Sequence, residues 1–429
     1  MPASTKSGAR TISDKSGRSI SDTGVGYATN SVDMSLLAPT AASFSGGGCD
    51  GGCGGCDSCG GGIISSGCDS ACGAACGGAG SSMWVSAETL LWFTNGGSTP
   101  PLVTTSAQGV LPVYGANGVQ TALGGPDGID QGMFVGFRLE AGTWLDDGQK
   151  FGVSGRVFGF DTNEEYSLAS DGSTSIGIPF FNTNAGVLAE DAYLVAFTAA
   201  GPTPISSGNV FVRSDLDLIS ADGSIRALLA GSGGNRVDLL AGYTFARVKS
   251  SLTVNTQSEN LFTGDLIADG TIFDTHDLFE TSNEFHGAHL GLLSTVTRKG
   301  LSLMTLAKVS FGNMRQTGRI EGFTTESFGG ASSTTAGGVF AQPTNIGSLG
   351  VNNEFAFIPE LGAKLAYDVN DQLKATVGYT FLYYSSVALA GEQVDHSVDL
   401  SGTGTRPTAN FADGSLWTQG IDLGMIYSF

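Results

Sequence analysis

The sequence predicts an all-β fold, a closed antiparallel transmembrane β-barrel of about ten strands, with twelve as the alternative. Apolar and polar residues alternate through long segments from Met83 onward, and the connections between these segments are alternately long and short. The last segment, LWTQGIDLGMIYSF, ends the chain on Phe429. Outer-membrane barrels have an even number of such strands, short periplasmic turns and long outer loops.

The composition agrees with strands rather than helices as the membrane-spanning elements. Hydrophobic residues make up 41% of the chain and charged residues only 14%, yet no run of about 18 apolar residues is long enough for a transmembrane helix. The formal net charge of −20 argues against nucleic-acid binding, which depends on basic patches.

The N-terminal part of the chain differs from the rest. Residues 1–48 are rich in Ser, Thr and Gly without periodicity and are predicted to be disordered, and residues 49–82 form a Gly/Cys low-complexity segment. The barrel is predicted over 83–429. The start of the chain lacks the apolar run of a secretory signal, which is the main observation against an exported protein.

Ten strands are predicted, at 83–93, 131–145, 149–163, 209–230, 235–257, 284–297, 301–323, 354–368, 372–388 and 415–429. Long connections at 94–130, 161–208, 258–283, 324–353 and 389–414 alternate with short turns such as Asp146-Asp147-Gly148. The alternation breaks near Ala221-Asp222-Gly223, where a bulge or a turn is expected. A turn there would make 186–198 an additional strand and raise the count to twelve.

The charged residues of the strands are predicted to face the interior. In the last strand Ile421, Leu423 and Met425 alternate with Gly420, Asp422 and Gly424, and a charge on the lipid face near the membrane centre costs about 2–4 kcal/mol. The predicted pore-lining residues are Arg138, Glu140, Arg156, Arg236, Asp238, Lys308, Glu360, Lys364, Lys374 and Asp422. Either they form a constriction that selects solutes, or they pair in a plugged lumen. Small barrels of about eight strands are filled by their own side chains, which favours the plugged lumen.

Aromatic residues cluster near the predicted strand ends. Trp84, Trp92, Tyr383, Trp417, Tyr427 and Phe429 are predicted to lie at the membrane interfaces. Aromatic girdles at both interfaces are typical of outer-membrane barrels.

The chain from Trp84 to Phe429 resembles the putative β-barrel porin-7 family, known chiefly from planctomycete bacteria. The blocks that carry the resemblance are WVSAETLLWF, PPLVTTS, GFRLEAGTWLDD, IPFFN, VDLLAGYTFARV, VGYTFLYYSSV and the C-terminal segment. Thr143, between Gly142 and Trp144, and Ala390 depart from the family pattern. The resemblance implies an outer-membrane barrel of porin type and supplies no catalytic residues.

Two other patterns contain residue types that can carry chemistry. All seven cysteines lie between Cys49 and Cys76, with two successive C-x2-C steps, so that metal binding, disulfides and a flexible low-complexity segment all remain open. Asp274-Thr275-His276-Asp277 and Asp395-His396 bring acids and histidines together in or near predicted outer loops, as in omptin-type proteases. Adjacency in sequence does not orient a carboxylate on an imidazole. No metal site, cofactor or enzymatic activity is therefore predicted.

The predicted function is that of a narrow passive pore for small solutes in the outer membrane. The alternative is a structural envelope barrel with a side-chain-plugged lumen, and a more distant one is an outer-rim hydrolase of omptin type. The expected partners are outer-membrane lipid and the barrel assembly machinery, which would recognise the C-terminal strand that ends in Phe429.

Overall fold

The computed structural model describes residues 83–126, 128–129, 132–199, 203–262, 267–401 and 404–429. The segments 1–48 and 49–82, predicted to be disordered and of low complexity, lie outside the described residues, as do all seven cysteines. Within the described ranges, no helix combines the length and apolar character needed to cross a membrane.

Antiparallel strands dominate the described residues, which confirms the predicted all-β class. The strands are β1 (Met83–Thr94), β2 (Thr99–Ala107), β3 (Val119–Gly125), β4 (Met133–Trp144), β5 (Phe151–Ser170), β6 (Thr174–Asn182), β7 (Ala189–Thr198), β8 (Pro204–Ser232), β9 (Asn235–Asn260), β10 (Ile272–Arg298), β11 (Leu301–Phe328), β12 (Ala331–Ala336), β13 (Gly347–Asp368), β14 (Leu373–Val387), β15 (Ser397–Val398) and β16 (Gly414–Ser428). A short 3-10 helix, Ala390–Gln393, follows β14.

Ten of these strands pair in a closed ring. The order is β1, β4, β5, β8, β9, β10, β11, β13, β14, β16 and back to β1. The first and last strands close the ring through an antiparallel ladder that runs from Trp84 paired with Ser428 to Thr94 paired with Thr418. Each ring strand overlaps one of the segments predicted from the alternation.

The break predicted near Ala221-Asp222-Gly223 is not a turn. β8 passes through it without interruption and stays paired with β5 and β9 on both sides. The segment 186–198 does contain β7, but β7 pairs with β8 only through Phe197 and Thr198 and is not one of the ring strands.

Local sequence explains the short turns. Asp146 accepts hydrogen bonds from the amides of Lys150 and Phe151 at 2.9 and 2.7 Å, so the carboxylate closes the β4–β5 turn and its pKa is lowered by those amides. Asn370 closes the β13–β14 turn in the same way, through the amide of Leu373 at 2.8 Å. Asx side chains commonly replace backbone acceptors in tight turns.

The ring is taller on one side than on the other. β8, β9, β10 and β11 have 29, 26, 27 and 28 residues, whereas β1, β4, β14 and β16 have 12 to 15. The predicted loops 161–208 and 258–283 are therefore partly strand. We call the outer parts of the four long strands, residues 204–218, 246–260, 272–287 and 312–328, the extension.

An apolar band surrounds the ring between the short turns and the extension. On β9 the outward positions 237 to 245 are Val, Leu, Ala, Tyr and Phe, and the next outward residue is Arg247. The change comes at nearly the same height on the neighbouring strands, between Asp217 and Ile219 on β8 and between His286 and Ala288 on β10. Because the strands of such barrels are tilted, nine residues cover about 25 Å along the membrane normal, which is the height of the apolar band of outer-membrane barrels.

A second sheet lies against the inner face of the extension. Its strand order is β3, β2, β6, β7, and β15 joins β6 in parallel. Leu102, Ile178 and Val195 of this inner sheet belong to one buried cluster with Val254 and Phe279 of the extension. The stretch PPLVTTS thus forms a strand that folds back, and the inner sheet covers the inward face of the long strands.

Candidate functional site

The interior of the ring below the extension holds a cluster of charged side chains. All ten predicted pore-lining residues occupy inward positions on their strands. The cluster contains six basic and six acidic residues: Arg138, Arg156, Arg226, Arg236, Lys308, Lys364, Glu88, Glu140, Asp222, Asp238, Glu360 and Asp422. The opposite charges balance, so that the interior carries no net field of one sign.

One group of the cluster joins the first and last strands of the ring. Arg138 lies 2.9 Å from Glu88 and 3.1 Å from Asp422, with only 4% of its side chain exposed. The indole N–H of Trp92 donates to the other oxygen of Asp422 at 2.8 Å, and Lys364 pairs with Glu88. Four ring strands thus meet around Arg138.

A second group connects strands across the interior of the ring. Arg156 contacts Asp222 at 2.7 Å and Glu360 at 2.5 Å, and Lys308 contacts the same two carboxylates at 3.0 and 2.9 Å. Each of these four side chains is at least nine-tenths buried. Buried charges are tolerated where each is paired and hydrogen-bonded, as here.

A third group lies near the short turns. Arg226 and Arg236 both contact Asp238, at 3.2 and 2.7 Å. Their guanidinium groups stack over aromatic rings: Arg226 is 4.9 Å from the ring of Trp84, and Arg236 is 4.3 Å from that of Trp144. Cation–π contacts of this kind stabilise desolvated guanidinium groups.

Two predicted pore-lining residues differ from the rest. Lys374 pairs with Asp368 at 2.6 Å at the rim of the ring, and both side chains are 35% exposed. Glu140 is the one charged member of the cluster, among the described residues, without a hydrogen bond or ion pair of its own. It lines an interior cavity of about 100 Å³ together with Arg156 and Lys364.

An apolar layer separates the charged cluster from the inner sheet. It consists of inward side chains from every part of the ring: Leu90, Trp92, Phe134, Phe158, Phe160, Leu216, Leu218, Ala246, Val248, Phe285, Met314, Ala356, Ile358, Leu382, Tyr384 and Leu416, with Val387 and Leu389 from the end of β14 and the loop after it. Trp92, Phe285 and Tyr384 have no exposed surface. Beyond this layer comes the buried cluster of the inner sheet.

The scan against protein families identifies the chain. The family model described as "Putative beta barrel porin-7" matches residues 84–429. The chain belongs to this family. Its place in the cell is the outer membrane.

Solved structures with a similar chain path are outer-membrane proteins of low sequence identity. The outer membrane protease OmpT from Escherichia coli is 9% identical, with a TM-score of 0.37, over 81% of this chain and 97% of that chain. A Pseudomonas aeruginosa FadL homologue is 9% identical, with a TM-score of 0.22, over 82% and 90%. No curated protein matches the sequence.

The interfacial location predicted for two aromatic residues of this porin-family chain, Trp84 and Trp92, is wrong. Trp92 is fully buried in the apolar layer, and Trp84 faces inward beside Arg226. The reason is strand parity: Trp84, Glu88 and Trp92 lie an even number of residues apart and share a face. Tyr383 and Trp417 lie opposite each other on outward positions, and Tyr427 and Phe429 are exposed at the other end; their interfacial location stays a prediction.

The sequence reasoning missed Glu88, Asp222 and Arg226. Glu88 could have been found from its parity, because a carboxylate between Thr89 and Ala87 on an otherwise apolar strand must face inward. Asp222 interrupts an apolar alternation and was interpreted as a break. It is an inward charge that neutralises Arg156 and Lys308.

The acid–histidine neighbours do not form pairs with each other. His276 faces outward and contacts Asn255 at 2.7 Å, whereas Asp277 faces inward and accepts the amide hydrogens of Val339, Phe340 and Ala341 at 2.9 to 3.2 Å. His396 contacts Glu190 at 3.0 Å, while Asp395 contacts Arg406 at 2.9 Å. Successive residues of a strand point to opposite faces, which explains the separation of His276 from Asp277.

Histidine and carboxylate ligands do not gather into a candidate metal centre. Within the described ranges, no group of three or more His, Cys, Asp or Glu side chains has the geometry to hold a metal ion. The cysteine cluster at 49–76, for which metal binding or disulfides were left open, lies outside those ranges, so that both interpretations stay predictions.

Proposed function

We propose that this porin-family chain is a closed outer-membrane barrel with a structural role in the envelope. The observation that carries the proposal is the filling of the ring: paired charges, then an apolar layer, then the inner sheet. A ring of ten strands is close in size to barrels that are filled by their own side chains. The plugged lumen is thus favoured over the open one.

The energetics support a closed resting state. A passage would have to part side chains such as Trp92 and Phe285, which are completely buried. It would also expose or separate ion pairs such as Arg156–Glu360, and removing one partner of a buried pair costs about 3–5 kcal/mol. A continuous path through the ring would incur these costs both in the apolar layer and in the charged cluster.

A narrow passive pore is the second candidate. It is favoured by the porin family and by the cavity of about 100 Å³ beside Glu140 and Arg156. In that case the inner sheet would have to move away from the extension while the paired charges line the path. Small solutes that can pass both acidic and basic side chains would then cross the ring.

Planar-bilayer recording distinguishes the two candidates. The full chain, refolded and checked by its heat-dependent mobility on a gel, is expected to give no discrete current steps and no osmotic swelling of proteoliposomes. Reproducible steps of one size from the same preparation would contradict the closed barrel and establish the pore. Phe285→Ala, which removes a large side chain from the apolar layer, tests whether that layer makes the seal.

The partners follow from the same architecture. Outer-membrane lipid is expected to surround the apolar band, and the assembly machinery to recognise β16 with its terminal Phe429. Removal of Phe429 is expected to lower the amount of folded protein in the outer membrane, while Phe328→Ala, which changes another exposed phenylalanine on a different strand, leaves it unchanged.

The acid–histidine neighbours of the sequence do not support a hydrolase of omptin type, because neither Asp277 nor Asp395 contacts the histidine beside it. His396 contacts Glu190 and His276 contacts Asn255. We propose that the chain is not an enzyme. A peptidase activity that is lost in His396→Ala or His276→Ala would overturn this.

A further inference from the structure

The outward face of the extension is a flat polar surface directly above the apolar band. We call it the polar wall. Its residues are Asn209, Phe211, Arg213, Asp215 and Asp217 on β8; Arg247, Lys249, Ser251, Thr253, Asn255 and Gln257 on β9; Asp274, His276, Leu278, Glu280, Ser282 and Glu284 on β10; and Arg315, Thr317, Arg319, Glu321, Phe323 and Thr325 on β11. Because it begins where the band ends, it faces the polar zone outside the outer leaflet.

The charge of the polar wall is nearly balanced. It carries the basic residues Arg213, Arg247, Lys249, Arg315 and Arg319 and the acidic residues Asp215, Asp217, Asp274, Glu280, Glu284 and Glu321. In the register of the strands, Glu284 lies between Arg247 and Arg315. Such a mixture attracts neither a polyanion nor a polycation strongly. A neutral partner that both donates and accepts hydrogen bonds fits it better.

The lower part of the polar wall contains a groove of about 520 Å³. Its floor is made by the short side chains Ser251, Ser282 and Thr317, and its rim by Asp217, Lys249 and Glu280. The side chains of these three charged residues make no hydrogen bond or ion pair among the described residues. The groove therefore offers free donors and free acceptors side by side.

The upper part contains a second groove of about 310 Å³ with an aromatic side chain. Phe323 is 42% exposed there, and its ring stacks on His276 at 4.8 Å between centroids. Gln257 donates to Asp274 at 2.8 Å, and Asn255 contacts His276. A ring next to oriented amides and a carboxylate is a common arrangement in sites that bind polar organic ligands.

The two grooves lie in line along the strands. On β9 the first groove is lined by residues 249–251 and the second by residues 255–257, so that their centres are six residues, about 20 Å at 3.3 Å per residue, apart. An elongated partner that runs outward along the wall would occupy both. We propose that the polar wall binds a linear, hydroxyl-rich polysaccharide of the cell surface. Its hydroxyl groups would pair with Asp217, Lys249 and Glu280, and its apolar ring faces would lie on Phe323.

The test uses the full chain in detergent and the polysaccharide released from the lipopolysaccharide of the producing bacterium, freed of its lipid. Isothermal titration is expected to show binding that falls at least tenfold in Phe323→Ala and in Glu280→Ala. The matched controls are Phe328→Ala and Glu326→Ala, exposed residues at the tip of the β11–β12 hairpin, outside both grooves. These two are expected to bind like the wild type.

Two outcomes would overturn the proposal. One is the absence of binding by a wild-type protein that is folded by gel mobility; the other is equal binding by all four variants. Binding only when the phosphorylated lipid is retained would assign the wall to lipid headgroups instead, and would also contradict it. The inference uses the outer-membrane orientation but not the closed lumen, so that conductance and saccharide binding can fail independently.

Discussion

Trp92 donates its indole N–H to Asp422 at 2.8 Å, across the seam where the first and last strands close the ring. Asp422 also accepts from Arg138 on β4 and from Thr380 on β14. One carboxylate thus connects four strands, and it lies in β16, the last strand of the ring in chain order. The seam is held by side chains as well as by the backbone ladder.

Asp422→Ala is expected to lower the free energy of unfolding by about 3–5 kcal/mol, because it leaves Arg138 buried with part of its charge uncompensated. Urea unfolding in detergent, followed by gel mobility, measures this loss. The matched control is Asp368→Ala, at the rim pair with Lys374, where exposure limits the effect to about 1 kcal/mol. Equal losses in the two variants would contradict the role of the seam.

Asp277→Ala is expected to release the loop between β12 and β13. The carboxylate accepts three backbone amides, those of Val339, Phe340 and Ala341, and its removal leaves buried donors that cost about 1–3 kcal/mol each when unsatisfied. Limited proteolysis should then produce a new cut within 337–346 that the wild type does not show.

Asp274→Ala is the control for this experiment, since Asp274 lies three residues away on the same strand but faces outward and bonds only Gln257. Cleavage at the same rate in both variants, or no new cleavage in Asp277→Ala, would show that the loop is held by its apolar residues alone.

The ring strands could be predicted from sequence because each one alternates between a lipid-facing and an inward residue. The same rule places Arg138, Glu360 and Asp422 inside. The rule of alternation fails for the extension, because there each face of a strand mixes polar and apolar residues. On β10, for example, outward Leu278 lies between outward His276 and Glu280, so that no face is uniformly polar or apolar, and the sequence predicts a loop there.

The inner sheet could not be predicted for a different reason. β6 is buried over six consecutive residues from Ser175 to Phe180, so it has no polar face and no period of two. Its partners lie far along the chain: β2 is about 70 residues before it, and β15 more than 200 after it. The pairing depends on the closed ring that surrounds it, which short-range patterns do not contain.

Trp417 and Trp92 should respond differently to quenchers in the bilayer. Trp417 is on an outward position near the upper edge of the apolar band, whereas Trp92 is fully buried inside the ring. In vesicles of brominated lipids, we expect Trp417→Phe to lose most of the quenchable fluorescence and Trp92→Phe to keep it. Quenching that disappears in Trp92→Phe but persists in Trp417→Phe would reverse the assignment of the two faces.

Stability at low pH is expected to depend on Asp395, in the loop before β16. Burial opposes its ionisation, but the amides of Thr408 and Ser397 and the guanidinium of Arg406 outweigh it, so that the pKa of Asp395 lies below its ordinary value of 3.8. A carboxyl with a depressed pKa stabilises the fold above its unfolded pKa and loses that contribution as the pH falls through the folded value. The unfolding temperature of Asp395→Asn should therefore lie below that of the wild type at pH 7, and the difference should shrink only below pH 3.8. The exposed Asp147→Asn is the control, because among the described residues its carboxylate makes no hydrogen bond or ion pair. A difference for Asp395→Asn that already vanishes at pH 6 would mean that another group controls the acid sensitivity of this loop.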